Sequence, residues 1–394
     1  MSARFVLSLL KAPFRLPLTM FASMVSLLWA GVAIAQVSAT PASTASPAAY
    51  IYVADLNQVH VFSASSTGVL THLQDVTTKV LIAHLSVNKK FLFGIDLGSG
   101  ISRFAIGADG KLTPLGYTEA TAYVPDYCFA SGLLQIDESG SDLHTFMTDC
   151  QQNTFLVSFK ILPTGDLLFI NRTAADLWAS SQLRFTQGNH FAFQTGCKVE
   201  VNQQDQITSA TPHTAEWRRE TTGAMTFLGT LGEVPENKSP AQYCPVNLAN
   251  DPSNHLLFGY MTEFGAQAPD LGVYSVDSEG NLSTTNNYKN MTWSETDTNE
   301  MSISPTGKLA ALGGTDGDGY QFFHFNGANP PTKFTGVYDA GSRIWEFGWD
   351  KSDHVYVLSE NSLIVWKLTP TSYKQISGST YPLKAASSLI VLSR

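Results

Sequence analysis

Charge is scarce in this chain: Asp, Glu, Lys and Arg together make up 14% of it, and no run of basic residues occurs. Binding to a phosphate backbone needs clustered positive charge, so nucleic acid is not expected as a partner. Catalytic signatures are missing too. There is no G-x-S-x-G, no H-E-x-x-H and no glycine loop of the phosphate-cradling type, so a serine hydrolase, a zincin or a nucleotide enzyme has no support, and no cofactor is expected. Beyond residue 50 no long stretch carries the 3.6-residue period of an amphipathic helix.

What is present is ample apolar material, 43% of the residues, enough to bury a large core. The first residues read as an export signal. Arg4, Lys11 and Arg15 form a basic start, residues 16–35 are almost entirely apolar, and Ala33-Ile34-Ala35 precedes Gln36 as a small-x-small cleavage site. The competing reading is a retained anchor, since about 20 apolar residues just span a bilayer. With cleavage, no stable membrane association is expected. Residues 36–49 are rich in Ser, Thr, Ala and Pro without large apolar side chains and form a linker. The folded body is therefore residues 50–394. Without its three basic leader residues the chain has 21 basic against 33 acidic residues, a strongly acidic balance.

Short β-branched and aromatic runs fill that body, separated by Gly, Pro, Asn, Asp and Ser clusters, which is a strand-and-turn signature. They recur as a unit of apolar strand, polar turn and second apolar strand. Copies begin at His84 (HLSVNKKFLF), Ile136, Arg184, Asp251, Ser302 (SISPTGKLAA) and Asp350. Unit starts near residues 84, 134, 183, 247, 301 and 347 give spacings suited to four-stranded propeller blades. A seventh unit is split. Residues 50–73 lack an inner strand, and residues 387–393 form a lone strand that would supply it and close the ring. The expected fold is all-β, a single seven-bladed β-propeller. A pair of β-sandwiches explains neither the recurring turn nor the split unit.

Four cysteines, Cys128, Cys150, Cys197 and Cys244, follow an export signal, so disulfides are expected. The blade register favours Cys128–Cys150 and Cys197–Cys244, on loops of one face, each worth ~2–4 kcal/mol. A zinc site built from them lacks any close C-x-x-C pair.

Aligning the units on their turn makes channel positions comparable. One position holds Ile82, Leu133, Gln182, Asn247, Glu300 and Glu346. Two residues on stand His84, Gln135, Arg184, Ala249, Ser302 and Gly348, and positions i and i+2 share a strand face. His84, Arg184, Glu300 and Glu346 are the candidate catalytic residues. The histidine suits a general base, the arginine an anion or oxyanion holder. The plainer account is that such side chains merely solvate a channel. Asp316 and Asp318 read as a tight turn rather than a calcium loop. Asn171, Asn237, Asn281 and Asn290 open N-x-S/T sequons. Trp345 and Trp349 flank Glu346 and suit either sugar stacking or packing between blades.

Two stretches carry a resemblance. Tyr50-Ile-Tyr-Val-Ala-Asp-Leu-Asn-Gln-Val-His-Val-Phe-Ser followed by Thr67-Gly-Val-Leu resembles the strand pair of lactonase-type and YVTN-type propellers. Ala83-His84 with Asp96-Leu-Gly and Gly110-Lys-Leu resembles a blade of the 6-phosphogluconolactonase-like family. The resemblance implies a seven-bladed propeller with histidine, glutamate and arginine around its channel, His84 falling on the family's histidine. Ala83 stands where that family has proline. Two expectations follow. One is an exported lactonase-like hydrolase acting on a small anionic or cyclic-ester ligand. The other is a non-enzymatic propeller recognising a protein, peptide or glycan on its loop face. A secreted or periplasmic monomer is expected in both cases.

Overall fold

The structure is a computed structural model. It describes residues 46–394 except 97–99, 120–121, 125, 152, 176–181, 202–206, 232–243, 262–268, 287–288, 298 and 315–318. The export segment and most of the linker lie outside the described residues, as do Asn237, Asp316 and Asp318.

Seven antiparallel sheets, each built around four strands, make up the fold, and no helix occurs among the described residues. Blades 2 to 7 start with the inner strands Ile82–Val87, Tyr127–Ile136, Leu183–Phe185, Cys244–Asn250, Glu300–Ile303 and Ile344–Trp349. Blade 1 combines Ala49–Asp55, Gln58–Ala64 and Leu70–Thr77 with the last strand of the chain, Ala386–Ser393, as its inner strand. Ala49 pairs with Ser393 and Val53 with Leu389. The inner strands follow one another around the ring, with Ala386–Ser393 between those of blades 7 and 2. The seven-bladed arrangement and its closure are as the sequence repeat implies.

The core is seven apolar wedges, one between each pair of neighbouring blades. Phe91, Phe93 and Ile95 of blade 2 meet Leu134, Leu143 and Met147 of blade 3, for example. Equivalent clusters fill the other six seams. A blade is thus covered on both faces, and its second strand reads as a continuous apolar run; Phe91–Asp96 is buried at every position. The closing strand serves two wedges through its alternation. Leu389 and Val391 pack toward blade 7, Ile390 and Leu392 toward blade 2.

The repeated turn has a hydrogen-bonding reason. In six blades one short polar residue ends the inner strand and accepts backbone N–H groups from the start of the second strand. Asn88 Oδ1 takes Phe91 N–H (2.8 Å), Asp137 Oδ1 takes Asp142 (2.8 Å) and Thr186 Oγ1 takes Phe191 (3.3 Å). Asp251 takes His255 (2.8 Å), Ser304 takes Leu309 (3.2 Å) and Asp350 takes His354 (3.0 Å). Asn, Asp, Ser and Thr are the side chains short enough to close such a loop. Between the third and fourth strands of blades 1 to 6 a glycine turns the chain and seats on the preceding blade. At Gly165 φ is +82°, and an added Cβ would lie 2.6 Å from Leu115 Cδ1 and 2.8 Å from the Phe91 ring, so neither strain nor space permits a side chain.

Cys128 and Cys150 form a disulfide with a Cα–Cα distance of 5.0 Å, one of the two expected bridges. Cys244 is also disulfide-bonded; the side chain of Cys197, its expected partner, lies outside the described residues.

Candidate functional site in the central channel

An inner strand pairs on one side only, so the edge facing the channel leaves backbone groups that need partners. Side chains of neighbouring inner strands supply them. Ser388 Oγ accepts Leu85 N–H at 2.8 Å, Ser86 Oγ accepts Ile136 N–H at 3.1 Å, and Gln182 Oε1 accepts Leu248 N–H at 2.7 Å. Glu346 Oε2 accepts both Leu389 N–H, at 2.5 Å, and the Ser388 hydroxyl, at 2.7 Å. The channel wall is therefore polar by structural necessity, and the candidate residues stand within it.

All four are brought together. His84 Nε2 of blade 2 faces Glu346 Oε1 of blade 7 at 3.5 Å, their side chains 25% and 14% exposed. Arg184 Nη2 of blade 4 lies 3.4 Å from Glu300 Oε1 of blade 6, and Gln182 Nε2 donates to the same oxygen at 2.7 Å. Arg184 Nη1 also donates to Gln135 Oε1 of blade 3 at 3.3 Å. Glu346 senses the charge of Glu300, and both Glu346 and His84 sense that of Arg184. Five blades thus contribute to one polar cluster.

The i, i+2 alignment holds in blade 4, where Gln182 and Arg184 both reach Glu300. In blade 2 it does not. A β-bulge between Ile82 and His84 adds Ala83 without a partner. Ile82 then joins Leu85 in the apolar wedge against blade 1 while His84 turns to the channel. Elsewhere the aligned set is absorbed by packing. Ala249 sits in a wedge, the Ser302 hydroxyl accepts Trp349 Nε1–H at 2.8 Å, and an added Cβ at Gly348 would meet Val391 at 2.4 Å. Trp349 packs between blades, and Arg343 lies over the Trp345 ring at 4.9 Å, so the pair serves packing. Asn171 ties blade 3 to the Met225 carbonyl of blade 4 at 3.2 Å. Ser388 and the anchoring role of Gln135 were missed. Blade 1 receives its inner strand without the turn on which the alignment rests, so Ser388 had no aligned position.

Burial splits the protonation behaviour of the cluster. His84 is pushed down to about 4, by desolvation first and by Arg184 second, with the Leu134 backbone opposing weakly. Its Nδ1 lacks a well-formed hydrogen bond. Glu346 is pushed up to about 8 by desolvation and then by Glu300, against the pull of Leu389, Ser388 and Arg184. Glu300 is raised by burial, which Arg184 and Gln182 partly offset. At neutral pH the cluster therefore holds an uncharged imidazole beside a carboxylic acid, with a guanidinium across the channel. Such an arrangement offers a proton acceptor, a proton donor and a fixed positive charge at once. An open groove of about 310 Å³ lined by Arg103, Tyr117, Glu119 and Asp166 lies between outer strands of blades 2 and 3, apart from this cluster.

No family model and no curated protein matches the sequence. Solved structures do match the fold. A candidate 6-phosphogluconolactonase from Bacteroides fragilis superimposes with a TM-score of 0.63 at 14% identity, covering 90% of this chain and 100% of that one. A second, from Bacteroides uniformis, gives a TM-score of 0.66 at 12% identity over 87% of this chain and 99% of that one. A functionally unknown protein from Desulfotomaculum acetoxidans gives 0.60 at 10% identity over 85% and 99% of the two chains. At these identities the likeness establishes the propeller fold.

Proposed function

We propose that this protein is an exported lactonase-like propeller that opens a small cyclic ester at the central channel. The observation that carries the reading is the meeting of His84, Arg184, Glu300 and Glu346, from four blades, in one half-buried cluster, where burial disfavours the charged forms of His84 and Glu346. Water attacks the ester carbonyl as His84 accepts its proton. The oxyanion forms against the Arg184 guanidinium, whose orientation Glu300 and Gln135 fix. Collapse breaks the acyl–oxygen bond, and Glu346 supplies the proton to the departing ring oxygen. The hydroxy acid released is anionic, and its carboxylate suits the same arginine. The Cys128–Cys150 disulfide supports an oxidising compartment, in keeping with the N-terminal signal.

Hydrolysis of a panel of sugar lactones and simple γ- and δ-lactones, followed by acid release, tests the reading with the wild-type protein beside His84→Ala. Loss of a proton-accepting imidazole lowers the rate by about 10²–10⁴-fold. Equal rates for the two proteins, or no hydrolysis of any lactone, refute it and leave a propeller that binds its ligand unchanged.

A further inference from the structure

A second cluster of chemistry-bearing side chains sits on blade 1, on its second and outer strands, away from the channel. In Gln58–Ala64 and Leu70–Thr77, His60 pairs with Asp75, and Phe62 pairs with His72. Three residues apart on a regular strand, His72 and Asp75 would point to opposite faces. A β-bulge opposite Val61 and Phe62 inserts Leu73 and brings both to the face that carries His60. His60 Nδ1 and His72 Nε2 each lie 2.6 Å from the same oxygen, Asp75 Oδ1. The three donor atoms lie within 4.8 Å of one another.

We propose that His60, His72 and Asp75 form a binding site for a divalent transition-metal ion, zinc first. Two imidazoles and one carboxylate are a donor set that zinc accepts and that magnesium and calcium, which prefer oxygen, do not. Three ligands leave a fourth position for water. The surroundings support the assignment independently. The other ring nitrogen of His60 faces Asp55 Oδ2 at 3.3 Å, the carboxylate–histidine arrangement that orients a metal-binding imidazole. Asp55 is itself 4% exposed and fixed by backbone N–H groups of Ala385, at 2.7 Å, and Lys384, at 3.0 Å. The Tyr381 ring stacks on His72 at 6.1 Å and packs edge-on against Phe62 at 4.7 Å, holding the second imidazole in place. Asp75 and the outer side of His72 face solvent, with 45% and 37% of their side chains exposed, so an ion reaches the site without opening the fold. A carboxylate on each ring nitrogen of His60, and a second histidine on one of them, is more ligating capacity than a turn of surface strand requires.

The test uses the full secreted protein, stripped with chelator and titrated with zinc chloride by calorimetry, and with Co²⁺ followed by visible absorption. One equivalent of zinc binding at micromolar affinity or tighter is expected, with the intense Co²⁺ bands of four-coordination. His72→Ala, at a half-exposed position that should not disturb folding, is expected to weaken zinc binding at least tenfold and abolish those bands, while His84→Ala binds zinc as wild type does. No zinc binding, or equal binding by wild type and His72→Ala, overturns the proposal. Lactone hydrolysis is expected to be indifferent to chelator, which separates this site from the channel chemistry.

Discussion

Glu346→Gln provides the sharpest test of the channel electrostatics. The amide keeps the shape of the carboxyl and an oxygen for the Leu389 N–H and Ser388 hydroxyl, but it cannot ionise. Folding raises the carboxyl from 4.5 to about 8. Between those values the folded protein keeps a proton that the unfolded chain has already lost. Native stability due to this group is therefore whole below about pH 4.5 and drains away as pH rises toward 8. At about 1.4 kcal/mol per pH unit, the difference amounts to roughly 3–5 kcal/mol. The glutamine protein escapes it. Urea unfolding of both proteins, read by tryptophan fluorescence at roughly unit steps from pH 5 to pH 9, should show the variant gaining on wild type throughout and levelling above pH 8. A stability difference, variant minus wild type, that stays flat or falls with rising pH would refute the burial argument and with it the protonated state of Glu346.

Three further outcomes follow from the same geometry. If His84 must be neutral and Glu346 protonated, lactone hydrolysis should rise through about pH 4, hold a plateau and fall through about pH 8, a bell whose alkaline limb disappears in Glu346→Gln. Gly165→Ala forces a side chain into a left-handed conformation and against the Phe91 ring, and should lower stability by about 2–4 kcal/mol in denaturant titration. Cys128→Ser removes a bridge spanning 22 residues, and should cost about 3 kcal/mol under non-reducing conditions and nothing once wild type is reduced.

The fold was legible because its repeat unit is chemically simple. A short polar residue must close each hairpin, so Asn88, Asp137, Thr186, Asp251, Ser304 and Asp350 mark blades even where the strands diverge. The split blade was legible because a lone apolar strand at the end of a chain has nowhere else to pair. The channel cluster was legible as a set of positions, since inner strands converge in any propeller. Its couplings were not. That Arg184 reaches Glu300 across an intervening blade depends on the curvature of the ring, which no local pattern encodes. Bulges mark the other limit. Ala83 and Leu73 each add one residue, and each changes which side chains share a face, moving Ile82 into the core and setting His72 beside Asp75. Strict alternation would keep Ile82 on the face of His84 and set His72 on the face opposite Asp75.

The chain can be viewed as a closed circle carrying one nick, and where that nick falls matters. Had it fallen between blades, the circle would be held there only by two apolar faces, which slide and part without breaking any pairing. Instead it lies inside blade 1, between Ala49–Asp55 and Ala386–Ser393, across a ladder that runs from Ala49–Ser393 to Asp55–Ala386. To spring the circle open, the protein must strip that ladder and empty two apolar wedges in one step, because Leu389 and Ile390 point into different seams. The weakest joint of the ring is thereby made to fail cooperatively.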